Sequence, residues 1–379
     1  MSRLTVVFLV GAAAAAALLG AAVDAKIVDG LRAGFYNKTC PEAEGTIRDV
    51  VNSEIGMDRT IAAGIIRIFF HDCFITGCDA SILLDETPSG DVPEKESSAN
   101  GFTLHGLRTI DVAKSTIEAM CPNTVSCADI LAFAARDAAV SAGLPWYDVT
   151  AGRRDGMRSN MDDLPGKMPA PGHQVPRLAE LFAQHGMSQE DLVVLSGAHS
   201  IGGAHCFMFS NRLYGFSQGA DIDPALEPAY AAQLRQVCPQ PREEDDPEKA
   251  PKVSFDSRTA QELDNVYYSE LLAGRGLLTS DDALIKDPET KKTVELFAAN
   301  DALWQQKFAQ AMQKLGALDV LVDTTQGQIR QQCRLVNTQT TQQTTQQTPQ
   351  STQESTQSQQ PRRPGFGFGR FIPGFHGFF

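Results

Sequence analysis

Two histidines on apolar segments carry most of the chemistry in this chain. His71 lies in Arg67-Ile68-Phe69-Phe70-His71-Asp72-Cys73. Arg67, Phe70 and His71 stand at i, i+3 and i+4, so they share one face of a helix. A histidine alone on such a face more often is a core residue paired with a carboxylate. An arginine beside it reverses that preference, because both polar groups must face something that repays their desolvation. His199 lies in Leu195-Ser196-Gly197-Ala198-His199-Ser200-Ile201-Gly202, where the glycines permit close approach of a bulky flat group. Together the two histidines suggest a cofactor sandwiched between helices, one ligating a metal and the other working on the open face. His105, His173, His185, His205 and His376 sit among polar or glycine residues and are expected to be solvated.

Oxygen-bearing side chains form two short runs. Asp72, Asp79 and Ser81 surround Cys73 and Cys78; Asp256, Thr259 and Asp264 form the second run. Oxygen ligands at short spacing in a pinned loop suit Ca²⁺, although the twelve-residue EF-hand pattern is absent. Taken singly, such runs are more often solvated turns.

These residues need helices to hold them, and helical periodicity dominates. Ile47, Val50, Val51, Glu54 and Ile55 recur at helical spacing after Pro41, a good first-turn residue. Residues 61–71 are nearly all apolar, as a helix buried on most sides requires. Leu107, Ile110, Ala113, Ile117 and Met120 make another stripe. Ser126 with Asp129, and Ser188 with Asp191, read as capping boxes. Val294, Phe297, Leu303, Trp304, Phe308, Met312 and Leu315 predict one long helix over 294–315. Alternating strand patterns are scarce, so a mostly α fold is expected.

Lys plus Arg number 33 against 46 Asp plus Glu, a net charge of −13. Such a chain repels phosphate backbones, which argues against nucleic-acid binding. Residues 1–25 read as a secretory signal peptide: one early arginine, an apolar run from Leu4 to Val23, then Val23-Asp24-Ala25 with small side chains at the cleavage positions. The alternative is an uncleaved anchor, since about 20 apolar residues can span a bilayer. After removal no membrane association is expected. Eight cysteines, all beyond that segment, fit an oxidising compartment and four disulfides. Spacing alone leaves about a hundred pairings open. No CxxC occurs, which disfavours a zinc ribbon, and no CxxCH, which excludes c-type haem attachment. Asn37-Lys38-Thr39 is a glycosylation sequon, with Asn37 as the acceptor. From Thr338 to Gln360, 18 of 23 residues are Thr or Gln; the last 19 hold 6 Phe and 5 Gly with Arg362, Arg363 and Arg370. Residues 338–379 cannot build a core and are expected to be disordered.

The segments from Arg67 to Leu84, Val125 to Ala132, Gly152 to Asp155 and Leu195 to Gly202, in that order, closely resemble the class III secretory plant peroxidases. The resemblance runs from about Phe35 to Asn337 and includes all eight cysteines. It implies a two-lobed, mostly α haem peroxidase domain over 26–337, with haem b held between distal and proximal lobes. It implies disulfides Cys40–Cys121, Cys73–Cys78, Cys127–Cys333 and Cys206–Cys238. The implied activity is reduction of hydrogen peroxide to water with one-electron oxidation of phenolic donors (EC 1.11.1.7). Wall phenolic cross-linking, lignin chemistry, peroxide removal and stress response are the implied roles.

His199 matches the proximal iron ligand, Asp281 the carboxylate that accepts its Nδ1–H, and Phe255 the aromatic ring beside it. His71 matches the distal acid/base, Arg67 the donor to charge on the breaking O–O bond, and Asn100 the amide that orients His71. Phe70 is expected in the haem pocket and Pro169 at the donor rim. A distal Ca²⁺ is expected on Asp72, Asp79 and Ser81 with carbonyls of Asp72, Ile75 and Gly77, and Glu94 joining through water. A proximal Ca²⁺ is expected on Ser200, Asp256, Thr259 and Asp264, with a further carbonyl near Glu262. The chain departs from the family at Phe102-Thr103-Leu104-His105-Gly106-Leu107, at Ile201, and at Gly172-His173, where some members have an aromatic pair; the rim is therefore expected to be more open. The Thr/Gln tail has no family counterpart and could address cell-wall polymers. A secreted, extracellular or wall-bound monomer is implied, with the vacuole as alternative location. Two competing readings are a non-catalytic wall protein that keeps the fold, and a carboxylate hydrolase using Asp72 and Asp79. The complete histidine-centred sets oppose the first; the lack of an evident substrate cleft opposes the second.

Overall fold

Twelve helices carry the chain in this computed structural model, which describes residues 29–337. The expected signal segment and the 338–379 tail lie outside the described residues. In order the helices are α1 (Ala43–Met57), α2 (Thr60–Cys73), α3 (Leu107–Met120), α4 (Cys127–Ser141), α5 (Val175–Gln184), α6 (Gln189–Ser196), α7 (Ser210–Leu213), α8 (Pro228–Val237), α9 (Val266–Leu272), α10 (Thr279–Lys286), α11 (Pro288–Ala298) and α12 (Asp301–Leu315). Strands β1 (Gly203–His205) and β2 (Lys252–Ser254) pair antiparallel, with Ala204 opposite Val253. The mostly α architecture agrees with the helical periodicity. Among the described residues no helix is long and apolar enough to cross a membrane.

A large core gathers the inward faces of α1 to α6 and α9 to α12. The near-continuous apolar sequence of α4 is buried along almost its whole length, and α2 presents Ile61, Ile65, Ile68 and Phe69 to the same core. A smaller cluster lies under β1, α7 and α8, built on Phe209, Leu213, Tyr230 and Leu234. Burying each such side chain stabilises the fold by roughly 1.5–3 kcal/mol, so the histidine-bearing segments rest on rigid elements.

Four disulfides staple this arrangement: Cys40–Cys121, Cys73–Cys78, Cys127–Cys333 and Cys206–Cys238. No described cysteine is free. Cys127–Cys333 spans 206 residues and on a chain-entropy model contributes about 5 kcal/mol. Cys73–Cys78 spans only 5; it shapes the turn after α2.

Three local expectations change. The long helix over 294–315 is two helices. Asn265 Nδ2 donates to the carbonyls of Phe297 and Ala298 and closes α11, while the Asn300 side chain accepts the Leu303 N–H and opens α12. The Ser188/Asp191 capping box forms in full. At α4 only half of the expected box forms: Ser126 accepts the Asp129 N–H, but the Asp129 carboxylate turns to the Tyr36 hydroxyl, the Gly152 N–H and Arg153. A buried carboxylate facing a buried guanidinium gains more there than at an N-cap amide. Finally, His205 is buried, not solvated: its Nδ1 donates to the Ala250 carbonyl and its ring stacks on Phe207.

Candidate functional site

α2 points the first histidine. His71 sits in its last turn and is 9% exposed. Its Nδ1 lies 2.6 Å from Asn100 Oδ1. The Asn100 amide nitrogen donates to the Glu94 carbonyl at 2.8 Å, so the amide oxygen must be the acceptor facing the ring. His71 Nδ1 therefore carries the proton and Nε2 keeps a free lone pair. Burial, reinforced by the positive charge of Arg67, pushes the imidazolium pKa down to about 3, against the raising effect of the Asn100 bond. The ring is neutral at ordinary pH.

Arg67 stands one turn back on the same helix. Its guanidinium donates to the Ala99 carbonyl at 2.7 Å and the Thr103 carbonyl at 2.9 Å. Two of its five N–H groups are thus fixed and three remain for other acceptors. The Thr103 hydroxyl donates in turn to the Asn100 carbonyl at 2.5 Å. The 99–103 loop therefore holds both Arg67 and Asn100. Sequence reasoning identified Arg67 and Asn100 but not Thr103, whose position had registered only as a local departure from the family. Phe70 packs edge-on to His71 and stacks on Phe74 at 4.6 Å.

The second histidine follows α6 in a short 3-10 turn, Gly197–Ser200. His199 Nδ1 lies 2.8 Å from Asp281 Oδ1, and its ring stacks on Phe255 at 4.0 Å and 8°. Asp281 comes from the first turn of α10 and is almost fully buried. Its Oδ2 accepts the Leu278 N–H, and the Tyr267 hydroxyl donates to Oδ1 at 2.9 Å. Burial alone would push this carboxyl up. Its contacts with His199, the Leu278 amide and the Tyr267 hydroxyl outweigh it and hold the carboxyl below its usual range. Tyr267 was not legible in the sequence: it is 14 residues from Asp281, and only the packing of α9 against α10 brings them together.

Two contacts set the histidine-bearing segments side by side. Gly202 has φ +78, and a Cβ there would meet Ala63 of α2 at 2.8 Å. Phe102, two residues after Asn100 in the loop, packs edge-on to His205 of β1. The chemistry of each donor set suits a metalloporphyrin: an imidazole with Nδ1 held by a carboxylate leaves Nε2 as a strong ligand, and the opposite imidazole keeps a free base. Pro169 is half-buried in the segment tethered by the bond from Ser280 N–H to the Pro171 carbonyl.

The oxygen-rich runs also converge, with hydroxyls and backbone groups as well as carboxylates. Asp72 accepts the Ala80 N–H and Asp79 accepts the Ser81 N–H. Glu94 is fully buried, and both its carboxylate oxygens lack a partner. Burial and neighbouring Asp79 push the Glu94 carboxyl up to about 8; burial, Asp79 and Glu94 push Asp72 well above its usual value. Buried carboxyls that form no salt bridge among the described residues suit a divalent cation. Ile75 and Gly77 lie in the same loop, where Gly77 has φ +107 and stands too close to the Asp319 carbonyl for a Cβ. In the second run, Thr259 Oγ1 donates to Asp256 and Asp264, and the Asp264 N–H donates to Ser200 Oγ. Among the described residues no three His, Cys, Asp or Glu side chains converge into a metal-binding group on their own. Asn37 is exposed.

Comparison with known proteins accords with this geometry. The sequence model of the family described as peroxidase matches residues 47–300. The chain is 44% identical over 308 residues to Peroxidase 5 of Vitis vinifera, covering 81% of this chain and 92% of the relative. It is 43% identical over 310 residues to Peroxidase 1 of Zea mays (81% and 83%), and 41% identical over 310 residues to Peroxidase 55 of Arabidopsis thaliana (81% and 91%). With two unlike histidine centres in one fold and this extent of likeness, the chain belongs to the peroxidase family, as a haem peroxidase of the class III plant type.

Proposed function

We propose that this peroxidase reduces hydrogen peroxide and oxidises two phenols per turnover, H₂O₂ + 2 ArOH → 2 H₂O + 2 ArO•, with His199 as the residue that would hold a haem b. Bound haem supplies the redox-active iron. The rest is done by the side chains. Neutral His71 takes a proton from the inner peroxide oxygen on Nε2 and returns it to the outer oxygen as water leaves. Arg67 spends its free N–H groups on the negative charge that grows on that outer oxygen. Asn100 holds the His71 tautomer. His199 would hold the haem iron through Nε2, and Asp281, by accepting its Nδ1–H, would strengthen it as a donor. Phe70 and Phe255 pack the pocket, and donors rest at the rim by Pro169.

The observation that carries this reading is the His71–Asn100 bond of 2.6 Å, in an orientation fixed by the Glu94 carbonyl. It leaves a neutral base where peroxide chemistry requires one.

A distal Ca²⁺ on Asp72, Ile75, Gly77, Asp79 and Ser81, with Glu94 through water, would neutralise the buried carboxyls. A proximal Ca²⁺ on Ser200, Asp256, Thr259 and Asp264 would hold the residue next to His199. The apolar leader and the four disulfides support secretion, and the exposed Asn37 sequon supports glycosylation, with the tail available to wall polymers. The test is a donor panel on purified holoprotein, with and without residues 338–379. A Soret band with peroxide-dependent phenol oxidation is expected in both. Haem binding without peroxide turnover would instead favour the non-catalytic reading.

A further inference from the structure

Two adjacent tyrosines of α9 use their hydroxyls differently. Tyr268 donates to the backbone carbonyls of Val193 and Val194, a tether between α9 and α6. Tyr267, 2% exposed, donates to Asp281 Oδ1, the same oxygen that faces His199 Nδ1. Its ring lies edge-on to His199, with centroids 6.1 Å apart at 85°. Oδ1 thus takes two donors at 2.8 and 2.9 Å, while Oδ2 is occupied by the Leu278 N–H.

A carboxylate's pull on one proton weakens when a second donor shares the same oxygen, because the negative charge is spread over both bonds. In a dry site this competition is not averaged away by water. The Tyr267 hydroxyl is therefore placed to set how much electron density Asp281 passes to the imidazole. We propose that Tyr267 is a positioning residue that attenuates the His199–Asp281 pair and so sets the electron donation of His199 toward the haem iron. The inference rests on His199 as iron ligand with Asp281 as its partner.

Removing the hydroxyl leaves Asp281 Oδ1 to His199 alone and strengthens that bond. Tyr267→Phe holoprotein should therefore show an Fe(III)/Fe(II) midpoint potential shifted to more negative values, and a higher iron–histidine stretching frequency in the ferrous resonance Raman spectrum. Asp281→Asn should move both readouts the opposite way, since an amide is a poorer acceptor. If Asp281→Asn moves neither readout, the ligand-and-partner reading of His199 and Asp281 falls. If Asp281→Asn shifts them and Tyr267→Phe matches the parent or shifts with Asp281→Asn, the role of Tyr267 is overturned. Should Tyr267→Phe fail to retain haem, 3-fluorotyrosine at position 267 keeps the ring and makes a stronger donor. Its shift should run in the same direction as that of Asp281→Asn; no shift, or the reverse, overturns the proposal.

Discussion

The surroundings of His71 and of His199 solve opposite problems with the same ring. Both imidazoles have Nδ1 fixed by a side-chain oxygen. For His71 that oxygen belongs to a neutral amide; for His199 it belongs to a buried carboxylate. An amide orients the ring without favouring its charged form strongly enough to offset burial and Arg67, so the imidazolium pKa falls to about 3. A carboxylate draws the Nδ1 proton toward itself and enriches Nε2 in electron density. On the proposed roles, the partner of the remote nitrogen, rather than the histidine itself, is what separates base from ligand.

The largest expected effect comes from deleting the base. His71→Leu should slow the reaction with peroxide by roughly 10²–10⁴-fold while leaving the Soret band in place. Stopped-flow decay of the resting spectrum after mixing with peroxide reads this directly; parent-like decay would remove His71 from its role.

Asn100→Asp would give the distal ring a carboxylate and make it resemble the proximal one. A nearby negative charge raises the His71 pKa, so the ring stays protonated to higher pH. The acid limb of the pH–rate profile should move from near 3 toward neutrality. Loss of free base should cost on the order of tenfold in rate at about pH 6. An unmoved limb would mean that the charge on the partner of Nδ1 does not set the protonation state of His71.

Metal removal should disturb both centres through the chain, because Asp72 adjoins His71 and Ser200 adjoins His199. In metal-free protein the Glu94 carboxyl has a pKa of about 8 against 4.5 when free. Between those values the folded chain holds a proton that the unfolded chain releases. The stability this group contributes is complete below about pH 4.5 and is lost as pH rises through about 8. His71 acts oppositely: its pKa is lowered from 6.5 to about 3, so stability falls as pH drops through that window. The calcium effect is therefore read as loaded minus chelated protein at each pH. The gain in Tm on adding Ca²⁺ should be larger at about pH 8 than at about pH 5. A gain independent of pH would show that Glu94 does not face the ion.

The smallest effect should come from Thr103→Val, which removes the hydroxyl bond to the Asn100 carbonyl. A hydrogen bond of this kind contributes about 0.5–1.5 kcal/mol net, so the peroxide reaction should slow by roughly 2- to 10-fold. Thr103→Ser should restore it. Equal rates in both variants would confine Thr103 to packing.

Much of this was legible along the chain. Helical periodicity marked α1 to α3, and the i, i+4 spacing of Arg67 and His71 put both on one face of α2, because a helix repeats locally whatever surrounds it. The Ser188/Asp191 cap was equally local. What failed to read locally depended on competition for a group from elsewhere. Asp129 gave up its capping role to Arg153, 24 residues away. The 294–315 stripe broke where Asn265 reached in to close α11. His205, polar by its neighbours in sequence, was buried by the packing of β1 on β2 and by Phe102 and Phe207.

By itself the sequence determined the residue types, the helix that carries Arg67 and His71, and the family motifs that carry the fold. Only the tertiary structure decided which oxygen each histidine meets, that Arg67 hangs from the carbonyls of Ala99 and Thr103, and that Tyr267 shares Asp281 with His199. The physical reason is range: backbone propensity and helical spacing act over a few residues, whereas a hydrogen bond across 82 residues, as between His199 and Asp281, exists only after tertiary packing has brought the turn after α6 against α10.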